Sequence, residues 1–375
     1  MTRGSGLIAS RLVLERHGSD GAARVGYFQM MGTQAGAAVP PTTGEPERIG
    51  FLLVPGFTLM AFTSAIEPLR LANLLTGREC YRCVLLSRDG GQEVSSGGVP
   101  VAVQHAIDDA PSLRAIVVCG GLGSHWYTDR KVLSWLRRLA AGGATLGSIC
   151  TGSHILARAG LLEGYRCTIH WENLAGFVEA FPQVNATGEL FTIDRKRFTC
   201  AGGTVAVDLM LHRIAQRHGD ALAVEIAEQL LHDRIRPGAA RQHAAIQPDP
   251  RINRDEVVRA LAIMEETLEA PRPIGEIAAR TGTSRRKLER LFLQSFACPP
   301  ARYYMRMRLR RARHLLAQTE MSITEIALAC GFVSATHFSK AYRAILGASP
   351  RQDRYAQQRS RAGPIGRDSS KGDHE

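Results

Sequence analysis

The chain has 375 residues, 45% of them hydrophobic and 22% charged, with a formal net charge of +12. That length predicts two domains, and the composition is that of ordinary globular protein rather than a disordered or fibrous chain. No run approaches the roughly 18 apolar residues of a membrane span. The early stretch GLIASRLVLERHGSD (6–20) is broken by Arg11 and lacks a small-residue cleavage site, so a cytoplasmic protein is expected.

Residues 1–47, rich in Gly, Ala, Thr and Pro, read as a disordered extension. From residue 48 the pattern changes. RIGFLLVP (48–55), YRCVLLS (81–87), AIVVCGG (115–121), ATLGSIC (144–150) and RFTCAGG (197–203) are short apolar runs that end in turn-forming or small residues. Between most of them lie helical patterns: TSAIEPLRLANLL (63–75), KVLSWLRRLAAG (131–142), SHILARAGLL (153–162) and VAVDLMLHRIAQRHG (205–219). Alternating strand and helix predicts a doubly wound, mainly parallel α/β sheet over 48–235, closed by a last helix in ALAVEIAEQLL (221–231). Cys80 and Cys83 form an isolated CxxC with no second pair at metal-ligand spacing, so buried thiols are expected, with no metal and no cofactor.

Residues 236–252 read as a Pro-, Gly- and Arg-rich linker, 253–350 as an all-α domain and 351–375 as a polar tail. The all-α part repeats itself. Ile274, Ile277, Ala278 and Gly282 match Ile323, Ile326, Ala327 and Gly331 once one residue is inserted after the glycine. Leu288 and Phe292 then match Phe338 and Tyr342, and Pro300 matches Pro350. Each copy predicts a helix, a tight Gly turn and a second helix capped by Ser284 or Ser334. Between them Pro299 and Pro300 start a long helix with the apolar stripe Met305, Leu309, Ala312 and Leu316.

Charge says what two helix-turn-helix units would meet. Residues 251–375 hold 23 Lys/Arg against 13 Asp/Glu, a net +10, and between Arg285 and Arg313 ten basic residues face one acidic, Glu289. A solvated face mixes signs, whereas a single-sign concentration points to a polyanion. The expected partner is double-stranded DNA, met by Ser284, Arg285, Arg286, Lys287 and Arg290 of the first unit. In the second unit Ser334, Ala335, Thr336, His337, Lys340 and Arg343 would meet it. A small helical bundle with no ligand would need neither the repeat nor the charge.

These residues carry a family resemblance. GFVSATHFSKAYRAILGASP (331–350) resembles AraC/XylS-type bacterial transcription regulators, over about 253–350, departing at Asp353, where the family usually has an aromatic residue. Residues 48–235 resemble class I glutamine amidotransferase-like domains of flavodoxin-like fold, through FLLVPGFTLMAFTSAIEPLRLAN, VVCGGLG, GSICTGSHILARAGLLEGYRCTIHW and TCAGGTVAVDLMLHRIAQRHG. The pairing is similar to regulators of carnitine, glycine betaine and arginine catabolism. It implies an activator of catabolic genes, a small-molecule effector, a homodimer formed through the first domain, and RNA polymerase as a further partner.

GSICTGSHILARAG (147–160) also invites a catalytic reading. A strand, a turn bearing Cys150 and a helix resemble a nucleophile elbow, and the related enzymes often place a base near His170 and an acid near Glu67. A Cys150/His170/Glu67 constellation can therefore be drawn, as a hydrolase or amidase, a redox-sensing thiol, or a vestige beside a sensing pocket. The vestige is the expectation, because the resembling regulators keep the architecture and idle the chemistry. Ligands of doubly wound sheets bind outside the carboxyl ends of the strands. That edge holds Phe57, Gly120, Gly121, His125, Trp126, Cys150, Thr151, His170 and Trp171, with Glu67 nearby. Aromatic faces there would suit a quaternary ammonium ion, unless Trp126 and Trp171 are core or interface residues.

Overall fold

The computed structural model describes residues 45–242 and 255–361; the expected extension and most of the linker lie outside them. The first half opens with β1 (Glu47–Leu53), α1 (Leu59–Thr76), β2 (Tyr81–Ser87) and three two-residue strands, β3 (Glu93–Val94), β4 (Pro100–Val101) and β5 (His105–Ala106). It continues through β6 (Ala115–Cys119), α2 (Arg130–Ala141), β7 (Thr145–Ile149), α3 (Ser153–Arg158), β8 (Arg166–Thr168) and α4 (Trp171–Ala180). It closes with β9 (Asn185–Thr187), β10 (Phe191–Asp194), β11 (Arg197–Cys200), α5 (Val205–His218) and α6 (Asp220–Gln229).

Seven strands form one sheet in the order β10-β11-β7-β6-β1-β2-β5. All its pairings are parallel except the edge hairpin β10–β11. The central strands are apolar without alternation because both faces are covered: every residue of β6 is buried. Phe51, Ala61, Leu69, Leu209, Ile214 and Ile226 pack on one face, beneath α1, α5 and α6. Leu52, Val118, Leu136, Ile155 and Phe177 pack on the other, beneath α2, α3 and α4. Each of the larger of these side chains contributes about 1.5–3 kcal/mol by leaving water. The chain does not leave this sheet at residue 236. Phe191, Leu190 and Gly188 exchange main-chain hydrogen bonds with Gly238, Ala240 and Gln242, so 236–242 run as a strap along the β10 edge.

The second half is helical: α7 (Asp255–Glu266), α8 (Ile274–Arg280), α9 (Arg285–Phe296), α10 (Pro300–Gln318), α11 (Ile323–Ala329), α12 (Ala335–Leu346) and α13 (Pro350–Arg361). Two small cores form, and α10 belongs to both. Tyr304 joins Val257, Ile277, Leu288 and Phe292, while Leu309, Leu315 and Leu316 join Ile326, Phe332, Phe338 and Tyr342. Residues 351–361, expected within a polar tail, are instead the body of α13. Asp353 accepts the Tyr342 hydroxyl at 2.7 Å and stands 3.6 Å from Arg313. Asp353, at the position where the family usually has an aromatic residue, therefore braces this turn.

Candidate nucleic-acid interface and effector site

Each helix-turn-helix unit is set by its turn. Gly282 and Gly331 both hold φ of +72°, a left-handed conformation natural to glycine. A Cβ on Gly331 would also lie 2.5 Å from Pro271 Cδ, so this turn packs directly on the segment before α8 and joins the two units. Ser284 Oγ accepts from Lys287 N and Ser334 Oγ from His337 N, both at 3.2 Å, and these caps start α9 and α12.

On α9, Leu288, Leu291 and Phe292 are fully buried, which turns Arg286 and Arg290 outward, one turn apart. Lys287 donates to Glu256 of α7 at 2.7 Å, and Arg285 pairs with Glu289 at 2.9 Å. On α12, Phe338 and Tyr342 turn inward. Ser334, Thr336, His337, Lys340 and Arg343 are exposed and Ala335 half-buried. The arginines of α10 divide by role. Arg308 donates to the carbonyls of Cys330 and Gly331, both at 2.7 Å, and lies over the Phe332 ring. Arg311 pairs with Glu269. Those two hold the turn that presents α12, and the sequence alone does not separate them from the other arginines of α10, because all lie on one long helix.

The elbow forms as its sequence suggests. Cys150 has φ +57°, rare for a residue with a side chain and found where packing imposes it. The segment after β6 is packed tightly around it: a Cβ on Gly120 would lie 2.2 Å from Gly152 N, and one on Gly121 would lie 2.0 Å from Gly56 O. Thr151 Oγ1 donates to the Gly121 carbonyl at 2.7 Å. Phe57 is fully buried, edge-on to Phe62. Phe57, Gly120, Gly121 and Thr151 thus build the frame of the edge.

The catalytic constellation does not assemble. Glu67 sits about 12 Å along α1 from its start, at roughly 1.5 Å per residue, and pairs with Arg70 at 2.7 Å. The residue on the thiol is Thr58, whose Oγ1 is 3.3 Å from Cys150 Sγ. Burial pushes the Cys150 thiol up, against lowering by Thr58 and Thr151, so it is protonated at neutral pH. His170 donates its main-chain N–H to the Cys150 carbonyl at 3.3 Å, while its Nδ1 accepts from Glu172 N at 3.4 Å as the cap of α4. Thr58 escaped notice because a threonine after a Gly turn reads as a helix start, which it also is.

The remaining candidates fall into two groups. His125 and Trp126 share a single 3-10 turn, with ring centroids 5.0 Å apart, and His125 lies 5.9 Å from the buried His154. Burial pushes His154 down to about 3, so it is neutral. Trp171 lies at the head of α4, 5.6 Å from His170 and 5.7 Å from His314 of α10, so it faces the helical half. Among the described residues no helix is long and apolar enough to cross a membrane, and no group of three His, Cys, Asp or Glu is placed to hold a metal.

A helix-turn-helix domain model matches residues 277–356, and the DJ-1/PfpI family model matches 47–216. The HTH-type transcriptional regulator GbdR of Pseudomonas aeruginosa is 46% identical over 319 residues, covering 85% of this chain and 87% of that protein. The HTH-type transcriptional regulator CdhR of the same species is 43% identical over 304 residues, 81% of this chain and 90% of that one. Isonitrile hydratase of Pseudomonas putida is 30% identical over 167 residues, which span 44% of this chain and 69% of that enzyme. Likeness to regulators runs through both halves, whereas likeness to the enzyme stops short. A chain whose second half presents two capped helices beside exposed arginines, and whose likeness to these regulators runs through both halves, is a DNA-binding transcriptional regulator. It belongs to the AraC-type HTH transcriptional regulators that carry an N-terminal DJ-1/PfpI domain.

Proposed function

We propose that the chain is a cytoplasmic, homodimeric activator of catabolic genes, switched by a small amino-acid-derived or quaternary amine metabolite and working through RNA polymerase. The metabolite binds outside the carboxyl ends of the strands, between the His125–Trp126 turn and the Cys150–His170 elbow. The protonated Cys150 thiol held by Thr58 carries this reading: an elbow kept in form, with its nucleophile neutral, serves recognition rather than turnover. Aromatic rings on both sides of that edge suit a cation with a methylated surface. In the reader, Arg286 and Arg290 approach base edges, Ser334, Thr336, His337 and Lys340 enter the next major groove, and Arg343 meets phosphate.

Calorimetric titration of the full-length protein with glycine betaine, carnitine, arginine and their unmethylated analogues tests the sensing half. Saturable binding of one of them, matched by dose-dependent transcription from a promoter the protein binds, is expected. Binding that depends on covalent turnover of the metabolite would refute the reading.

A further inference from the structure

Two sets of contacts meet at the head of α4. On the elbow side, His170 donates to the Cys150 carbonyl, and Gln242, at the end of the strap, donates to Thr168 Oγ1 at 2.9 Å and the Ile169 carbonyl at 2.8 Å. On the reader side α4 lies against α10. Trp171 meets His314 edge to face, the Glu172 carboxylate is 4.0 Å from His314 Nε2, and Gln318 Nε2 donates to the Glu172 carbonyl at 3.0 Å. Ala175 packs against the second reader core. Gly176 completes the fit, because a Cβ there would stand 2.7 Å from Gln318 Oε1.

This contact mixes apolar packing with polar pairs, and Gln318 Oε1 is buried in it without a hydrogen-bond partner among the described residues. Leaving a buried acceptor unpaired costs about 1–3 kcal/mol, which weakens the docked arrangement by that much. Its position gives it consequence. The residue that caps α4 is bonded to the elbow cysteine, and the helix that α4 holds belongs to both reader cores. A shift of α10 therefore moves α9 and α12 together.

We propose that α4 is the coupling element between elbow and reader: a latch closed on α10 through His314, Gln318 and Gly176, whose closure is biased by what occupies the elbow. The identity of the occupant rests on the sensing proposed above; the latch itself does not. Both sites act on one two-state element, so their influence is reciprocal.

Two full-length variants test this without any metabolite. In Gly176→Cys/Gln318→Cys the two Cβ atoms would start 3.0 Å apart, near the roughly 3.5–4.5 Å span of a disulfide; oxidation then holds the latch shut. Gly176→Leu wedges it open, and Gln318→Ala opens it with no added bulk, a safeguard should the leucine impair folding. The probe is a duplex selected from a random-sequence library by the wild-type protein, followed by fluorescence anisotropy. The oxidised pair and the open variants shift affinity in opposite directions by about fivefold or more, and dithiothreitol returns the cysteine pair to its reduced value. Failure of the pair to crosslink, shifts in the same direction, or affinities all within about twofold of wild type would each overturn the latch. If no metabolite binds at all, the sensing proposal fails while these opposed shifts remain.

Discussion

Thr58 Oγ1 lies 3.3 Å from Cys150 Sγ, so the residue that starts α1 is also the one that holds the elbow thiol. Serine keeps the size and hydrogen-bonding capacity of that thiol. Cys150→Ser is expected to retain metabolite-dependent transcription within about twofold of wild type, since about 0.4 kcal/mol separates such states. Because burial raises the thiol, its alkylation by iodoacetamide at pH 7 is expected to be slower than that of a free cysteine peptide, and to accelerate as pH rises. Mass spectrometry of the modified peptide reads this. Fast alkylation at pH 7, with loss of response in the serine variant, would restore a chemical role.

His154 is neutral in the folded protein, pushed down to about 3 by burial, and titrates near 6.5 when unfolded. A depressed histidine contributes stability that is fully present above pH 6.5 and is lost as pH falls from there toward 3. By pH 5 the loss is about 2 kcal/mol. His154→Phe, among Phe177 and Phe181, is expected to flatten the decline between pH 7 and 5 in urea unfolding followed by tryptophan fluorescence, since all three Trp lie in the first half. An unchanged slope would show that His154 is not neutral in the fold.

Arg308 holds two carbonyls at the turn before α12. Arg308→Met keeps the stem over Phe332 but leaves the Cys330 and Gly331 carbonyls without this donor, at a cost of about 2 kcal/mol. Helical circular dichroism in urea is expected to show that loss, while DNA binding keeps the wild-type salt dependence at temperatures where the variant is folded. A salt slope reduced by about one phosphate's worth would instead place Arg308 on DNA.

The sheet was legible because its strands are short apolar runs that end in turn-forming or small residues, and the reader because its repeat and its charge agree. The two-residue strands β3, β4 and β5 were not, since pairs such as Glu93–Val94 are too short to show a period. The α4 helix was missed because WENLAGFVEA has Gly176 in its middle, a residue that weakens a helix pattern and is needed here for contact with α10. Glu67 was misplaced for a related reason. Motif resemblance fixes a residue's order along the chain, whereas its distance from Cys150 depends on where α1 starts.

Asp353 and Tyr342 provide a check on the last helix. Asp353→Ala and Tyr342→Phe each remove their 2.7 Å hydrogen bond and are expected to cost about 1–2 kcal/mol, with the double variant costing less than the sum. Additive losses in urea unfolding would mean that the pair does not brace α13.

Whether α9 reads bases is decided by operator-variant binding of Arg286→Ala and Arg343→Ala across several salt concentrations. Arg286 is exposed opposite the buried Leu288, Leu291 and Phe292, and Arg343 is exposed in the last turn of α12. Arg286→Ala is expected to relax preference at one operator position by about 1–3 kcal/mol. Arg343→Ala is expected to weaken all sequences alike and lower the salt slope by about one phosphate's worth. A uniform loss for Arg286→Ala, with every base preference intact, would contradict the account.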